Sequence, residues 1–203
     1  MHVYLLVVLF ISCGSAQHHQ IQTNDVFMIP LSPASFNLTF PESAGLFSYK
    51  AALHKLADLP KWIQLAYNPI LKLGFLFGTP PPELESVKLD IVAANQFTYE
   101  SATKDVVLDV FQNPDPLNSQ VKMKIHNLNV EDLMDEVKRN RLLDVFRDVL
   151  WPESTTDLHM VELQSALAAG GRRPMRRSDG EGVIVTVGSQ FELSEMLREL
   201  ERE

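Results

Sequence analysis

The chain has 203 residues, enough for one large domain or two small ones, and its 45% hydrophobic and 22% charged residues are the mix of an ordinary folded protein. A mean hydropathy of −0.04 excludes both a bundle of membrane helices and a disordered acidic tail. Acidic residues (26) outnumber basic ones (18), and the net charge of −8 excludes the cationic footprint that a nucleic-acid surface needs.

Residues 1–16 contain no Asp, Glu, Lys or Arg, and residues 3–11 form an unbroken apolar run. That run is too short to span a bilayer, which takes ~20 apolar residues. Gly14 and Ala16 suit the −3 and −1 positions of a signal-peptidase site, so the segment reads as a secretory leader cut between Ala16 and Gln17. The cut removes Cys13, the one cysteine, so no internal disulfide and no thiolate metal cluster is expected. A mature chain beginning Gln17-His18-His19 offers an amine, two amides and an imidazole that suit square-planar Cu(II) or Ni(II). Incidental binding at a flexible terminus is the plainer reading, and cyclisation of Gln17 would abolish it.

The next ninety residues have a β pattern. Residues 26–29, 36–40, 62–65, 74–80, 87–91 and 106–110 are apolar or alternate with polar residues, and Gly, Pro, Asn and Ser punctuate them. Residues 51–59 are the exception, with one or two helical turns expected. Asn37-Leu38-Thr39 is the sole Asn-x-Ser/Thr triplet. Behind a leader it marks Asn37 as a glycan acceptor on a surface loop or strand edge. Many short strands with frequent turns indicate a sandwich over residues 17–112.

Residues 113–120, with Pro114 and Pro116 among Asn, Asp and Ser, read as an extended linker. All arginines lie at or after Arg139, so the chain changes character here. Residues 121–203 are mixed. A strand at 121–126 leads to a helix capped by Asn129, with a break expected near Asn140 and an end at Trp151-Pro152. Strands follow at 158–166 and 182–188, and a helix at 191–201. The order β-α-β-β-α is that of a small split α/β sandwich.

Candidate chemistry is sparse. There is no nucleophile elbow, no phosphate-binding glycine loop and no His-Glu-x-x-His zinc spacing. His126 and His159 fall on two strands of one predicted sheet, which is compatible with a metal or acid–base pair or with two solvated side chains. Asp90, Asp105 and Asp109 are candidate calcium ligands by type, but they are single acids set among apolar residues, and polar faces of strands are the plainer reading. The basic run from Gly170 to Arg177 is open to a secretory protease at Arg173-x-x-Arg176, or is a solvated loop or a patch for an acidic partner or lipid headgroups. No catalytic, cofactor or metal residues are assigned.

Residues 59–63, 74–80 and 87–95 resemble the cadherin-like domain of sarcoglycans and dystroglycan. Residues 125–133 and 149–153 narrow the resemblance to the alpha/epsilon-sarcoglycan ectodomain. So do Ser165-Ala166-Leu167, Gly170-Gly171-Arg172 and residues 181–188. The resemblance implies a cadherin-like (Ig-like) β-sandwich followed by a small ferredoxin-like α/β sandwich. It implies a non-catalytic subunit of the sarcoglycan complex, within the dystrophin-associated glycoprotein complex that links cytoskeleton to matrix. The implied partners are beta-, gamma- and delta-sarcoglycan and dystroglycan-associated proteins. No nucleic acid or small-molecule substrate is implied.

Family members continue into a cysteine-bearing segment, a transmembrane helix and a short tail, so this chain reads as C-terminally truncated. Its expected location is the extracellular face of the plasma membrane (sarcolemma), or the medium if the chain is complete. Calcium-bridged adhesion is not implied, because the Asp-rich motifs of true cadherins are missing. Phe75, Phe77 and Tyr99 are possible partner anchors, with core packing as the competing role. A secreted ligand- or carbohydrate-binding module is the alternative reading.

Overall fold

The computed structural model describes residues 16–38, 47–114, 117–171 and 180–200. The leader up to Ser15, the basic run from Arg172 and the strand residues expected at Thr39 and Phe40 lie outside them.

Among the described residues, seven strands precede residue 112 and form two sheets. One has the order β1 (Gln17–Gln22), β7 (Ser101–Phe111), β6 (Ser86–Asn95), β3 (Phe47–Leu53). The other has the order β2 (Phe27–Leu31), β5 (Leu73–Gly78), β4 (Ile63–Asn68). Period-two alternation sends Leu89, Ile91 and Ala93 of β6 and Val106, Leu108 and Val110 of β7 inward. They meet Phe27, Ile29 and Leu31 of β2, Ile63 of β4 and Leu76 of β5 in one core between the sheets. Lys88, Asp90 and Asp105 point the other way, toward solvent.

The remaining strands are β8 (Ser119–Ile125), β9 (His159–Ser165) and β10 (Val183–Ser189). Their sheet order is β8-β10-β9, with β10 antiparallel to both neighbours. β8 and β9 therefore run parallel and are joined by a helical crossover, the split β-α-β arrangement. The crossover consists of α1 (Val130–Leu133), α2 (Glu136–Val145) and one π turn (Phe146–Leu150). A third helix, α3 (Glu195–Leu200), packs beside it through Leu197. Trp151 ends the crossover; it is fully buried, and its indole N–H donates to the Glu192 carbonyl at 2.8 Å. The fold is thus a β-sandwich followed by an α/β unit, as expected.

β5 is buried on both faces, so it reads as a nearly continuous apolar run, Leu-Gly-Phe-Leu-Phe-Gly. Leu76 faces the sandwich core, while Phe75 and Phe77 face the α/β unit and join its core. Sheet β2-β5-β4 is consequently the middle layer of the molecule. Gly78 lets the end of β5 approach β4 closely, since a Cβ there would collide with the Trp62 carbonyl.

Four local expectations are corrected. Residues 36–40 do not begin as a strand: Ser32 caps a 3-10 turn over Pro33–Phe36, and Asn37 closes it with φ 56°. Pro33 supplies the fixed φ of the first turn, and Asn tolerates the left-handed region. Residues 51–59 are not helical: Ala51 to Leu53 complete β3, which pairs with Ile91 to Leu89 of β6, and Lys55 turns the chain at φ 64°. The crossover breaks at Asp135 rather than Asn140, because the Asp135 carboxylate caps α2 by accepting from Val137 N–H at 2.9 Å. The last helix starts at Glu195 instead of Phe191, with Ser194 Oγ accepting from Leu197 N–H at 3.2 Å.

Phe77→Ala removes a side chain that is 2% exposed from the shared core. A loss of about 3–5 kcal/mol is expected in urea unfolding, with both units melting in one transition. Gly78→Ala is expected to cost about 1–3 kcal/mol in the same measurement, because the Trp62 backbone must move.

Candidate functional site

The contact between the sandwich and the α/β unit is apolar at its centre. Val26, Met28, Phe75, Phe77, Ala66 and Leu73 pack with the core that contains Leu133, Met134 and Met160. Directed bonds surround this centre. Val26 N–H donates to the Met160 carbonyl at 2.8 Å, and the Thr79 hydroxyl donates to the Val161 carbonyl at 2.6 Å. Both acceptors belong to β9, so the sandwich covers that strand's outer edge. Arg139 Nη1 reaches Met28 Sδ at 3.0 Å and the Leu133 carbonyl at 3.2 Å.

Asn68, buried at the end of β4, holds the second side of this contact. Its Nδ2 donates to the Glu131 carbonyl at 2.8 Å, and its Oδ1 accepts from Ile70 and Leu71 N–H, each at 2.9 Å. One amide thus fixes the β4–β5 turn and docks it on α1. The sequence signal was present in Asn68-Pro69 and Thr79-Pro80, but it reads only as turns; their long-range partners are invisible locally.

A cleft of about 620 Å³ opens beside Asn68, lined by Ile70, Leu71, Asn129, Glu131, Asp132 and Lys138 among others. Several of its polar side chains already have partners. Asp132 pairs with Lys138 at 2.7 Å and accepts the Asn129 N–H at 3.0 Å. The Lys138 hydrogen bond holds the Asp132 carboxyl below the ordinary carboxylate range. Asn129 Oδ1 accepts from Glu181 N–H at 2.7 Å.

The candidate residues are dispersed. Ile125 pairs with Val183 and His159 pairs with Gly188, two registers ~17 Å apart along β10, so His126, just past Ile125, and His159 sit at opposite ends of that strand. Parallel β8 and β9 put the end of one strand far from the start of the other. His159 Nδ1 lies 2.8 Å from the Asp157 carbonyl, and its buried Nε2 has no hydrogen bond within the protein. The three aspartates each have a separate side-chain partner: Asp90 with His54 at 2.9 Å, Asp105 with Lys88 at 2.7 Å and Asp109 with His18 at 2.8 Å. The His54 hydrogen bond lowers the Asp90 pKa. Among the described residues, no three His, Cys, Asp or Glu side chains are grouped to hold a metal.

Gln17, His18 and His19 open β1, in parallel register with Val106, Val107 and Leu108 of β7. A copper site would need to withdraw that backbone from the ladder. His19 is half-buried, and burial lowers its pKa, followed by the nearby Lys104 charge. Asn37 is exposed in its left-handed turn. Phe75 and Phe77 are core residues, which settles their competing roles in favour of packing, whereas Tyr99 is 85% exposed on a turn. No helix among the described residues is long and apolar enough to cross a membrane.

Residues 18–112 match the family model described as the sarcoglycan alpha/epsilon N-terminal domain, and residues 116–203 match the sarcoglycan alpha/epsilon second domain. The chain is 32% identical over 148 residues to epsilon-sarcoglycan of Homo sapiens, covering 71% of this chain and 33% of that protein. It is 30% identical over 181 residues to alpha-sarcoglycan of Oryctolagus cuniculus, covering 85% and 46%. The human alpha-sarcoglycan is 27% identical over 206 residues, covering 96% and 52%. The chain thus matches between a third and about half of the length of these relatives. Among solved structures, an endo-fucoidan hydrolase of glycoside hydrolase family 107 aligns with a TM-score of 0.35 and 14% identity, over 85% of this chain and 23% of that one.

Two substitutions probe the contact between the units. Asn68→Ala strands the Glu131 carbonyl and two turn amides, and is expected to cost about 1–3 kcal/mol in chemical denaturation. Burial raises the Asp25 carboxyl above its ordinary value, against the weaker opposing pull of His159 and Arg139. The folded chain then holds this proton more tightly than the unfolded one, so stability falls as pH climbs past the ordinary Asp range. Asp25→Asn is expected to raise Tm at about pH 7, with the gain gone by about pH 3, where the carboxyl is neutral in both states.

Proposed function

The chain belongs to the alpha/epsilon sarcoglycan family, and from that premise we propose that it is a non-catalytic extracellular subunit of the sarcoglycan complex. In this reading it works within the dystrophin-associated glycoprotein complex by protein–protein assembly. Its partners are beta-, gamma- and delta-sarcoglycan and dystroglycan-associated proteins, and its place is the outer face of the plasma membrane, the sarcolemma in muscle. The observation that carries the reading is the match of both family domains, in order, across residues 18–112 and 116–203.

The physical argument is consistent with assembly. A subunit that transmits load between neighbours gains from a rigid body, because little ordering entropy is then lost on docking. The shared core around Phe75 and Phe77 and the bonds to β9 supply that rigidity. Export fits the leader reading: β1 begins at Gln17, the residue after the proposed cut at Ala16. A glycan on Asn37 would leave the sandwich from an exposed turn.

Co-purification from muscle membranes with mass spectrometry tests the assembly. Recovery with beta-, gamma- and delta-sarcoglycan is the expected result; a monomer free of all three would remove the reading in favour of a stand-alone secreted module. In the secreted or surface-displayed protein, N-terminal analysis should find Gln17 or its cyclised form. Treatment with peptide N-glycosidase F should reduce the apparent mass, and Asn37→Asp should abolish that shift without lowering Tm by more than a degree or two, the turn residue being exposed and Asp also tolerating the left-handed backbone.

A further inference from the structure

The sheet of the α/β unit has two edges. The β9 edge is covered by the sandwich through Val26 and Thr79. The β8 edge pairs with nothing among the described residues, so its outward N–H and C=O groups face an open side. Beside this edge lies a groove of about 400 Å³ between sheet and helices. Val121 and Met123 form its sheet wall, and Phe146, Leu150, Leu197 and Leu200 form its helix wall. Leu200, at its mouth, is 55% exposed. Open main-chain groups beside an apolar slot are the two elements of strand addition: the backbone supplies affinity and the slot takes alternate side chains.

The charges define the occupant further. On the face of β8 away from the helices stand Gln120, Lys122 and Lys124. Lys122 is already tied to Glu162 at 3.0 Å across β10, but Lys124 has no ion pair among the described residues. A strand added at ~4.8 Å from β8 would place a side chain directly beside Lys124, where opposite charge is favoured.

We propose that the free edge of β8 and its apolar groove accept an extended strand from a partner polypeptide, one with apolar residues at every second position and an acidic residue beside Lys124. This deepens the assembly reading and rests on it, by naming one surface and the chemistry it selects.

The test uses the secreted protein and a fluorescein-labelled peptide, Thr-Val-Glu-Val-Glu-Val-Thr. Saturable binding by anisotropy is expected, with slower amide exchange over residues 119–125. Leu200→Asp, at an exposed position that the fold tolerates, should weaken binding at least about tenfold, as should N-methylation of alternate peptide amides. Lys124→Glu should weaken it several-fold, and a Thr-Val-Lys-Val-Lys-Val-Thr peptide should recover the loss. Absence of saturable binding, or binding indifferent to Leu200→Asp and to N-methylation, overturns the proposal. So does a homodimer in sedimentation that Leu200→Asp dissolves, since the occupant would then be a second copy. These outcomes are independent of membrane co-purification: a failed peptide test with intact sarcoglycan recovery removes the β8 site alone.

Discussion

The structure depends on one strand that has no solvent face. β5 puts Leu76 into the sandwich and Phe75 and Phe77 into the α/β unit, so each hydrophobic core is partly made by the same six residues. Such a strand cannot be satisfied by either unit alone. Removing the α/β unit would expose two phenylalanines and the apolar side of β2, a patch that soluble proteins rarely leave open. The hydrogen bonds from Val26 and Thr79 to β9 and from Asn68 to α1 then set the angle at which the units meet. Burial drives this contact, and the directed bonds give it a single register.

That constraint shapes what the surface can do. Carboxylates that might have gathered around a metal are instead distributed over the outer sheet, each with its own His or Lys. Exposed pairs of this kind contribute little stability, but they keep the sheet face soluble and uniformly polar. The acidic cleft by Asn68 is likewise built from groups that cap helices or close loops. Features available to a partner among the described residues include strand edges, turns and the groove beside β8.

Legibility in the sequence followed how local each cause was. Residues 87–91 and 106–110 carry their own alternation, and they became β6 and β7 with the expected inward residues. Trp151-Pro152 ended the crossover as read, since proline lacks the amide donor a continuing helix would need. By contrast, Gln17-His18-His19-Gln20-Ile21-Gln22 has a single buried apolar residue, Ile21, and is a strand only because β7 offers it a parallel ladder. Residues 51–53 have ordinary helix formers yet extend along β6, so pairing overrode propensity. Phe75 and Phe77 could be seen as apolar but not assigned: their run has no polar face to say which side is outside.

The amino-acid pattern by itself determined the β-α-β-β-α order of the second half, the change from sandwich to α/β character near residue 113, and the family resemblance. Each of these rests on periodicity, turn chemistry or motif order within short windows. Tertiary structure alone decided that His126 and His159 stand far apart, that Asp90, Asp105 and Asp109 have three different partners, and that the two units share a core. Those facts depend on sheet order and strand direction, which bring residues a hundred positions apart into contact and which no local window encodes.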